Sequence, residues 1–188
     1  MKNKAIFLDR DGTINVEKNY LYKIEDFEFE KGVIEGLKIL QNLGFKLIVI
    51  SNQSGIARGY YKKEDADALF SYMLKELKKE DITIDKVYYC PHYKEECNCR
   101  KPKLGLFYKA QKELNIDFAK SYAIGDKKRD VAICNNEPVK GFIINNTMEK
   151  IESDNLNVKV CKNFLEAVKQ ILKIYQTSLS TDATCTLI

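Results

Sequence analysis

The run Lys46-Leu47-Ile48-Val49-Ile50 is apolar at successive positions rather than at every second one. A strand of that kind must be covered on both faces, which a parallel sheet flanked by helices provides and a half-solvated antiparallel sheet does not. Ala5 to Leu8, Lys86 to Tyr89, Tyr122 to Ile124 and Gly141 to Ile144 read as further short strands. Stretches with helical spacing lie between them. Gly32 to Leu43 sets Val33, Ile34, Leu37, Leu40 and Leu43 on one stripe and is closed by Gly44. Lys63 to Lys79 does the same with Ala66, Leu69, Phe70, Met73, Leu74 and Leu77. A third helix is expected near Leu106 to Leu114, and a last one over Phe164 to Tyr175, with Asn163 and Glu166 spaced as a capping box. Strands alternating with helices predict an α/β fold: a central, mostly parallel sheet with helices on both faces. We expect one domain over residues 1–176 and a mobile, Ser/Thr-rich tail over 177–188.

Charge and hydropathy narrow the possible partners. Lys and Arg number 31 against 27 Asp and Glu, a net +4 that is too mild and dispersed to predict nucleic-acid binding. No apolar run reaches the ~20 residues of a membrane span, and the opening residues carry no secretory pattern, so a cytoplasmic protein without membrane contact is expected. In a reducing compartment, clustered cysteines point to metal rather than to disulfides. Cys90, Cys97 and Cys99 crowd into ten residues with His92, the only histidine in the chain. Cys90-x-His92 with Cys97-x-Cys99 supplies three thiolates and one imidazole, a full tetrahedral set for structural Zn²⁺ that leaves no position for a reactive water. Cys134, Cys161 and Cys185 are scattered and read as small buried or incidental thiols.

Four polar segments follow strands, where open α/β sheets place their ligands. The first strand ends in Asp9-Arg10-Asp11-Gly12-Thr13, two carboxylates two apart before a residue that permits a sharp turn. Such a pair suits a hard cation such as Mg²⁺, or a carboxylate nucleophile with a neighbouring proton donor. On its own it reads more readily as a solvated strand-end turn. The second strand ends in Ser51-Asn52-Gln53-Ser54-Gly55, a run able to cradle phosphate. The third leads through the metal-like cluster into Arg100-Lys101-Pro102-Lys103, and the fourth into Gly125-Asp126-Lys127-Lys128-Arg129-Asp130. Acids, hydroxyls and cations converging at strand ends describe a phosphoryl-transfer site.

Taken in this order, the strand ending in D-x-D-G-T, the Ser-ended strand, the downstream lysine and G-D-x-x-x-D resemble the haloacid dehalogenase superfamily of phosphatases. Ser51 to Gly59, Cys90-Pro91-His92 and Cys97-Asn98-Cys99-Arg100-Lys101-Pro102 narrow the resemblance to its heptose bisphosphate phosphatase branch, over about residues 5 to 175. The resemblance implies a single Rossmann-like domain with a zinc-stapled loop. The segments after Asp11 and Ser51 are too short for a large cap domain. It further implies a monomer that removes the 7-phosphate of D-glycero-D-manno-heptose 1,7-bisphosphate with Mg²⁺. By position, Asp9 would be the nucleophile and Asp11 the general acid and base. Asp9, Asp126 and the backbone carbonyl of Asp11 would hold Mg²⁺. Ser51 and Lys101 would stabilise the transferred phosphoryl group. Glu17, Lys18, Asn19, Tyr20, Asn52, Gln53, Ser54, Arg100 and Lys127 would contact substrate, a phosphorylated sugar. Arg58, Lys103 and Lys127 are extra cations that a second phosphate would reward. Asp130 is open to two roles, supporting the metal's water shell or buttressing its own loop. Two alternatives stand beside this reading: histidinol-phosphate hydrolysis, and a zinc-bearing nucleic-acid-binding module with Arg100 to Lys103 as its contact face.

Overall fold

The computed structural model describes residues 2–94, 97–145 and 155–185, and of 178–185 the backbone alone. Strands β1 (Ala5–Leu8), β2 (Lys46–Asn52), β3 (Lys86–Cys90), β4 (Tyr122–Gly125), β5 (Lys140–Ile144) and β6 (Val158–Cys161) form one sheet in the order β3-β2-β1-β4-β5-β6, with every pairing parallel. From β1 the chain winds outward through β2 and β3, then returns to the other side of β1 for β4, β5 and β6. The winding therefore reverses between β1 and β4, and the crevice that this opens at the strands' carboxyl ends is where such sheets bind ligands.

The doubly apolar strands account for two separate cores. On one face Leu47, Val49, Ile6 and Leu8 pack against Leu37 and Leu40 of α1 (Val33–Asn42), Phe70 and Met73 of α2 (Lys63–Lys79), and Phe164, Val168 and Ile171 of α4 (Phe164–Cys185). On the other face Ile48, Ile50, Ala5 and Phe7 meet Leu106, Phe107 and Ala110 of α3 (Gly105–Leu114), with Val131, Ile133 and Cys134 from a 3-10 segment, Lys128–Asn135. Cys134 and Cys161 are buried in these cores, as expected.

Three features depart from the sequence expectation. Helix α4 continues to Cys185, well past Tyr175 where apolar spacing ends; a helix anchored by its packed first turns extends one bond per residue, and Thr177 Oγ1 donates to the Lys173 carbonyl (2.9 Å) along the way. Residues 186–188 of the expected tail lie outside the described residues. Strand β6 was not expected. It is a four-residue edge strand with two exposed residues, too short and polar for a periodicity signal. At the start of α4, the Glu166 amide donates to Asn163 Oδ1 (2.9 Å), but the Glu166 carboxylate accepts from Lys162 N (2.6 Å) rather than from Asn163, so the box closes one residue early.

Helices α1 and α4 touch at Gly36, where an added Cβ would sit 2.7 Å from the Phe164 ring. Gly36→Ala gains about 1 kcal/mol of helix propensity but overpacks a rigid contact, which costs about 1–3 kcal/mol. We expect a lower Tm by thermal melt.

Candidate active site

Asp9 follows β1 and Asp126 follows β4, so the two flank the crevice. Asp9 is held by main-chain pairing, its N–H donating to Ile124 O at 3.0 Å, and its side chain is nearly buried. The same crevice opens into a cavity of about 240 Å³ lined by Asp9, Asp11 and residues of the 17–20, 52–58 and 127–129 segments, with Arg100 and Tyr61.

Lys101 is the pivot of this site. Fully buried, its Nζ lies 2.6 Å from Asp9 Oδ1 and 2.8 Å from Asp130 Oδ1, and it also donates to the Ile50 carbonyl. Its main chain is fixed as firmly: Lys101 N donates to Asn52 Oδ1 and Asn52 Nδ2 donates to Lys101 O, each at 3.0 Å. Burial alone would discharge the lysine, but the carboxylates of Asp130 and Asp9 outweigh it and raise its pKa. Asp130 is the converse: burial pushes its carboxyl up, Lys101 pulls it down further, and the net shift is downward. Asp9 is left as the weaker acid. Desolvation raises it from 3.8 to about 7 in spite of Lys101, with Asp130 and Asp11 adding repulsion.

Asp11 stands in a different setting. Its Oδ1 accepts from Arg10 Nε (3.0 Å), Arg10 Nη2 (2.8 Å) and Asn15 Nδ2 (3.1 Å), whereas Oδ2 accepts from Gln53 Nε2 alone, at 3.2 Å. Gln53 is oriented from behind by the Tyr61 hydroxyl, which donates to Gln53 Oε1 at 2.7 Å, and Gln53 Nε2 also donates to Ser51 Oγ at 2.8 Å. Arg10 is buried, with its guanidinium against the Phe70 ring.

Two groups of side chains have the chemistry of metal sites. Asp9, Asp126 and Asp130 bring carboxylate oxygens within 4.8 Å of one another. Asp126 Oδ1 is buried with no hydrogen-bond partner among the described residues, while its Oδ2 accepts from Lys127 Nζ at 2.6 Å; burial raises the Asp126 carboxyl. A buried anionic oxygen with no donor, in an all-oxygen set, fits a hard divalent cation. In the second group, Cys90 Sγ and Cys99 Sγ lie 3.5 and 3.4 Å from His92 Nδ1, and Cys97 Sγ lies 3.5 Å from Cys90 Sγ and 3.0 Å from Cys99 Sγ. Three thiols and one imidazole whose ligand atoms all lie within 4.8 Å of one another fit Zn²⁺.

A family model described as polynucleotide kinase 3 phosphatase matches residues 4–131. A protein of Campylobacter jejuni named D-glycero-alpha-D-manno-heptose-1,7-bisphosphate 7-phosphatase is 48% identical over 170 residues, covering 88% of this chain and 98% of that protein. The chain belongs to the heptose bisphosphate phosphatase family of the haloacid dehalogenase superfamily. A Helicobacter pylori member, named for the β anomer of the same bisphosphate, is 44% identical over 173 residues, 90% of this chain and 98% of that protein. In shape the fold matches the D,D-heptose 1,7-bisphosphate phosphatase of B. bronchiseptica, solved with magnesium and phosphate, at a TM-score of 0.80 and 24% identity over 90% of this chain and 98% of that one.

Of the residues that the resemblance implied, Asp9, Asp11, Glu17, Asn19, Tyr20, Asn52, Gln53, Ser54, Arg100 and Lys127 line the cavity. Ser51 and Lys101 lie just behind it, both buried. Lys18 lies off the cavity wall and pairs with Glu28 at 3.5 Å, where the chain bends into Asn19 and Tyr20 at φ 50° and 68°. The Asp11 carboxylate is likewise outside the acidic triad, being held by Arg10 and Asn15. Asp130 does buttress its loop, accepting from Lys127 N at 2.9 Å, but its other oxygen has the unforeseen task of holding Lys101. Arg10, Asn15 and Tyr61 were missed. A basic residue between two acids in a buried strand end was the available sign of Arg10.

Because Asp9 keeps a proton in the metal-free fold that the unfolded chain gives up, its burial penalty grows as pH rises from 3.8 to about 7 and is complete above that. Asp9→Asn should therefore stabilise metal-free protein, and the gain should widen from pH 5 to pH 8 by about 1 kcal/mol or more, a few degrees in Tm. Lys101→Met should do the reverse, costing about 3–5 kcal/mol by leaving buried carboxylates without their cation.

Proposed function

We propose that the chain is a Mg²⁺-dependent phosphoric monoester hydrolase that removes the 7-phosphate of D-glycero-D-manno-heptose 1,7-bisphosphate through an aspartyl-phosphate. The observation that carries this reading is a desolvated carboxylate, Asp9, fixed on a buried lysine at the mouth of a polar cavity. The relatives' names supply the substrate.

Asp9 is the nucleophile. Its free oxygen attacks phosphorus as the bond from phosphorus to the sugar oxygen breaks, and Asp11 protonates that leaving oxygen. With three donors on Oδ1, Oδ2 is the Asp11 oxygen that carries the proton. Asp11 then takes a proton from the water that attacks phosphorus and frees Asp9. Lys101 holds Asp9 in place and, with the Ser51 hydroxyl, balances charge on the transferred group. Asp9, Asp126 and the backbone carbonyl of Asp11 would hold Mg²⁺, which when bound offsets the repulsion between an anionic nucleophile and a phosphate dianion. Glu17, Asn19, Tyr20, Asn52, Gln53, Ser54, Arg100 and Lys127 are the substrate contacts that we retain.

Cys90, His92, Cys97 and Cys99 would hold a structural Zn²⁺. The loop they tie is joined to the phosphate side of the cavity, since Gln53 N donates to Cys90 O (2.7 Å), Ala57 N to Pro91 O (3.3 Å) and Arg100 Nη1 to His92 O (3.1 Å). We place the enzyme in the cytoplasm, as a monomer acting without nucleic acid. Among the described residues no helix is long and apolar enough to cross a membrane. The catalytic domain is taken as 1–176, with 177–188 outside it.

The test is phosphate release from the α and β anomers of heptose 1,7-bisphosphate and from histidinol phosphate, with and without Mg²⁺. We expect fast release from a heptose anomer, dependence on Mg²⁺, a loss of about 10³-fold or more in Asp9→Asn, and full activity after truncation at Gln176. Turnover of histidinol phosphate alone would overturn the substrate.

A further inference from the structure

Three cations at or behind the cavity wall are already matched to acids, and Arg100 is turned onto the His92 carbonyl. Lys101 lies between Asp9 and Asp130, Lys127 contacts Asp126 at 2.6 Å and Glu17 at 3.5 Å, and Arg129 lies 3.9 Å from Asp130. Arg58 differs. It is exposed at the rim, and no carboxylate pairs with it among the described residues; its one side-chain hydrogen bond is a long one, from Nη1 to the Tyr60 hydroxyl at 3.4 Å.

Arg58 is nevertheless held. Three tyrosines surround it: Tyr93 at 3.8 Å from guanidinium carbon to ring centroid, Tyr20 at 5.6 Å and Tyr60 at 5.9 Å. They come from different parts of the chain. Tyr20 follows β1, Tyr60 follows β2 and Tyr93 belongs to the cysteine loop after β3. Tyr20 and Tyr60 also meet edge to face at 4.8 Å. The backbone gives up an unstrained conformation to make the cluster, because Asn19 and Tyr20 lie at φ 50° and 68°, a region that a bulky side chain rarely enters. Such outliers persist where the surroundings hold them, commonly at ligand sites. Stacked ring faces fix a guanidinium while leaving its N–H edge available for the forked, two-point recognition of an oxyanion.

We propose that Arg58, caged by Tyr20, Tyr60 and Tyr93, forms an outer subsite that binds the non-reacting phosphate of a sugar bisphosphate and so selects bisphosphates over monophosphates. This rests on the phosphatase reading above. A substrate whose reacting phosphate sits at Asp9 carries its second dianion toward the rim of the same cavity, where Arg58 is a cation that no acid among the described residues neutralises. Because Tyr93 lies in the cysteine loop, that loop shapes the outer subsite as well as the inner one.

The experiment compares kcat/KM for heptose 1,7-bisphosphate with that for the same sugar carrying only the 7-phosphate, in wild type, Arg58→Ala, Arg58→Lys and Tyr93→Leu. Wild type should prefer the bisphosphate. Arg58→Ala should lower the ratio of the two kcat/KM values about tenfold or more, mainly through KM for the bisphosphate. Arg58→Lys should recover part of that loss, since charge returns without the fork, and Tyr93→Leu should lower the ratio with Arg58 intact. An unchanged ratio in Arg58→Ala, equal losses on both substrates, or a wild type indifferent to the second phosphate overturns the subsite and leaves the phosphatase standing. Wild type that hydrolyses neither compound overturns the phosphatase reading itself.

Discussion

A buried ammonium shared by two buried carboxylates sets the requirements that the rest of the molecule meets. Lys101 needs Asp9 from the end of β1 and Asp130 from beyond β4, so those strands must be neighbours, and the chain reverses its winding between them. Its backbone needs the end of β2, which Asn52 supplies through two reciprocal hydrogen bonds. The loop that delivers Lys101 must then hold its shape without a hydrophobic core of its own, and the Cys/His cluster just before it is built for that. Even the close approach at Gly125 follows. A Cβ there would fall 2.2 Å from the Asp130 side chain, so only glycine lets that acid turn back toward the lysine.

This arrangement divides similar acids into different roles by environment alone. Asp130 ionises readily because the lysine repays its burial, Asp9 is held back because the same lysine is shared, and Asp126 keeps a bare buried oxygen. Asp11, two residues from Asp9, is turned into a separate polar nest by a buried arginine.

Much of this was legible in the sequence. Helix α2 has the limits its apolar spacing gave, because a strong stripe over many turns leaves little freedom. The strand-end acids, the cysteine cluster and most cavity residues were found because each sits in a dense local motif. What was missed depends on long-range pairing. Nothing near Asp130 in the chain announces a lysine 29 positions earlier, and nothing near Asn52 announces that its amide meets the Lys101 backbone. Lys18 stands off the cavity wall on Glu28, since motif position alone does not say how a bent segment turns each side chain. The 3-10 segment and β6 are too short to carry a period.

The central claim is that Asp9 forms the covalent bond to phosphorus. Acid quenching during turnover of the bisphosphate, followed by borohydride reduction and peptide mass spectrometry, reads this directly, because an acyl phosphate is reduced where a free carboxylate is not. The account predicts homoserine at position 9, with Asp11, Asp126 and Asp130 unchanged. Conversion at another acid, or turnover with no conversion at any, would contradict it.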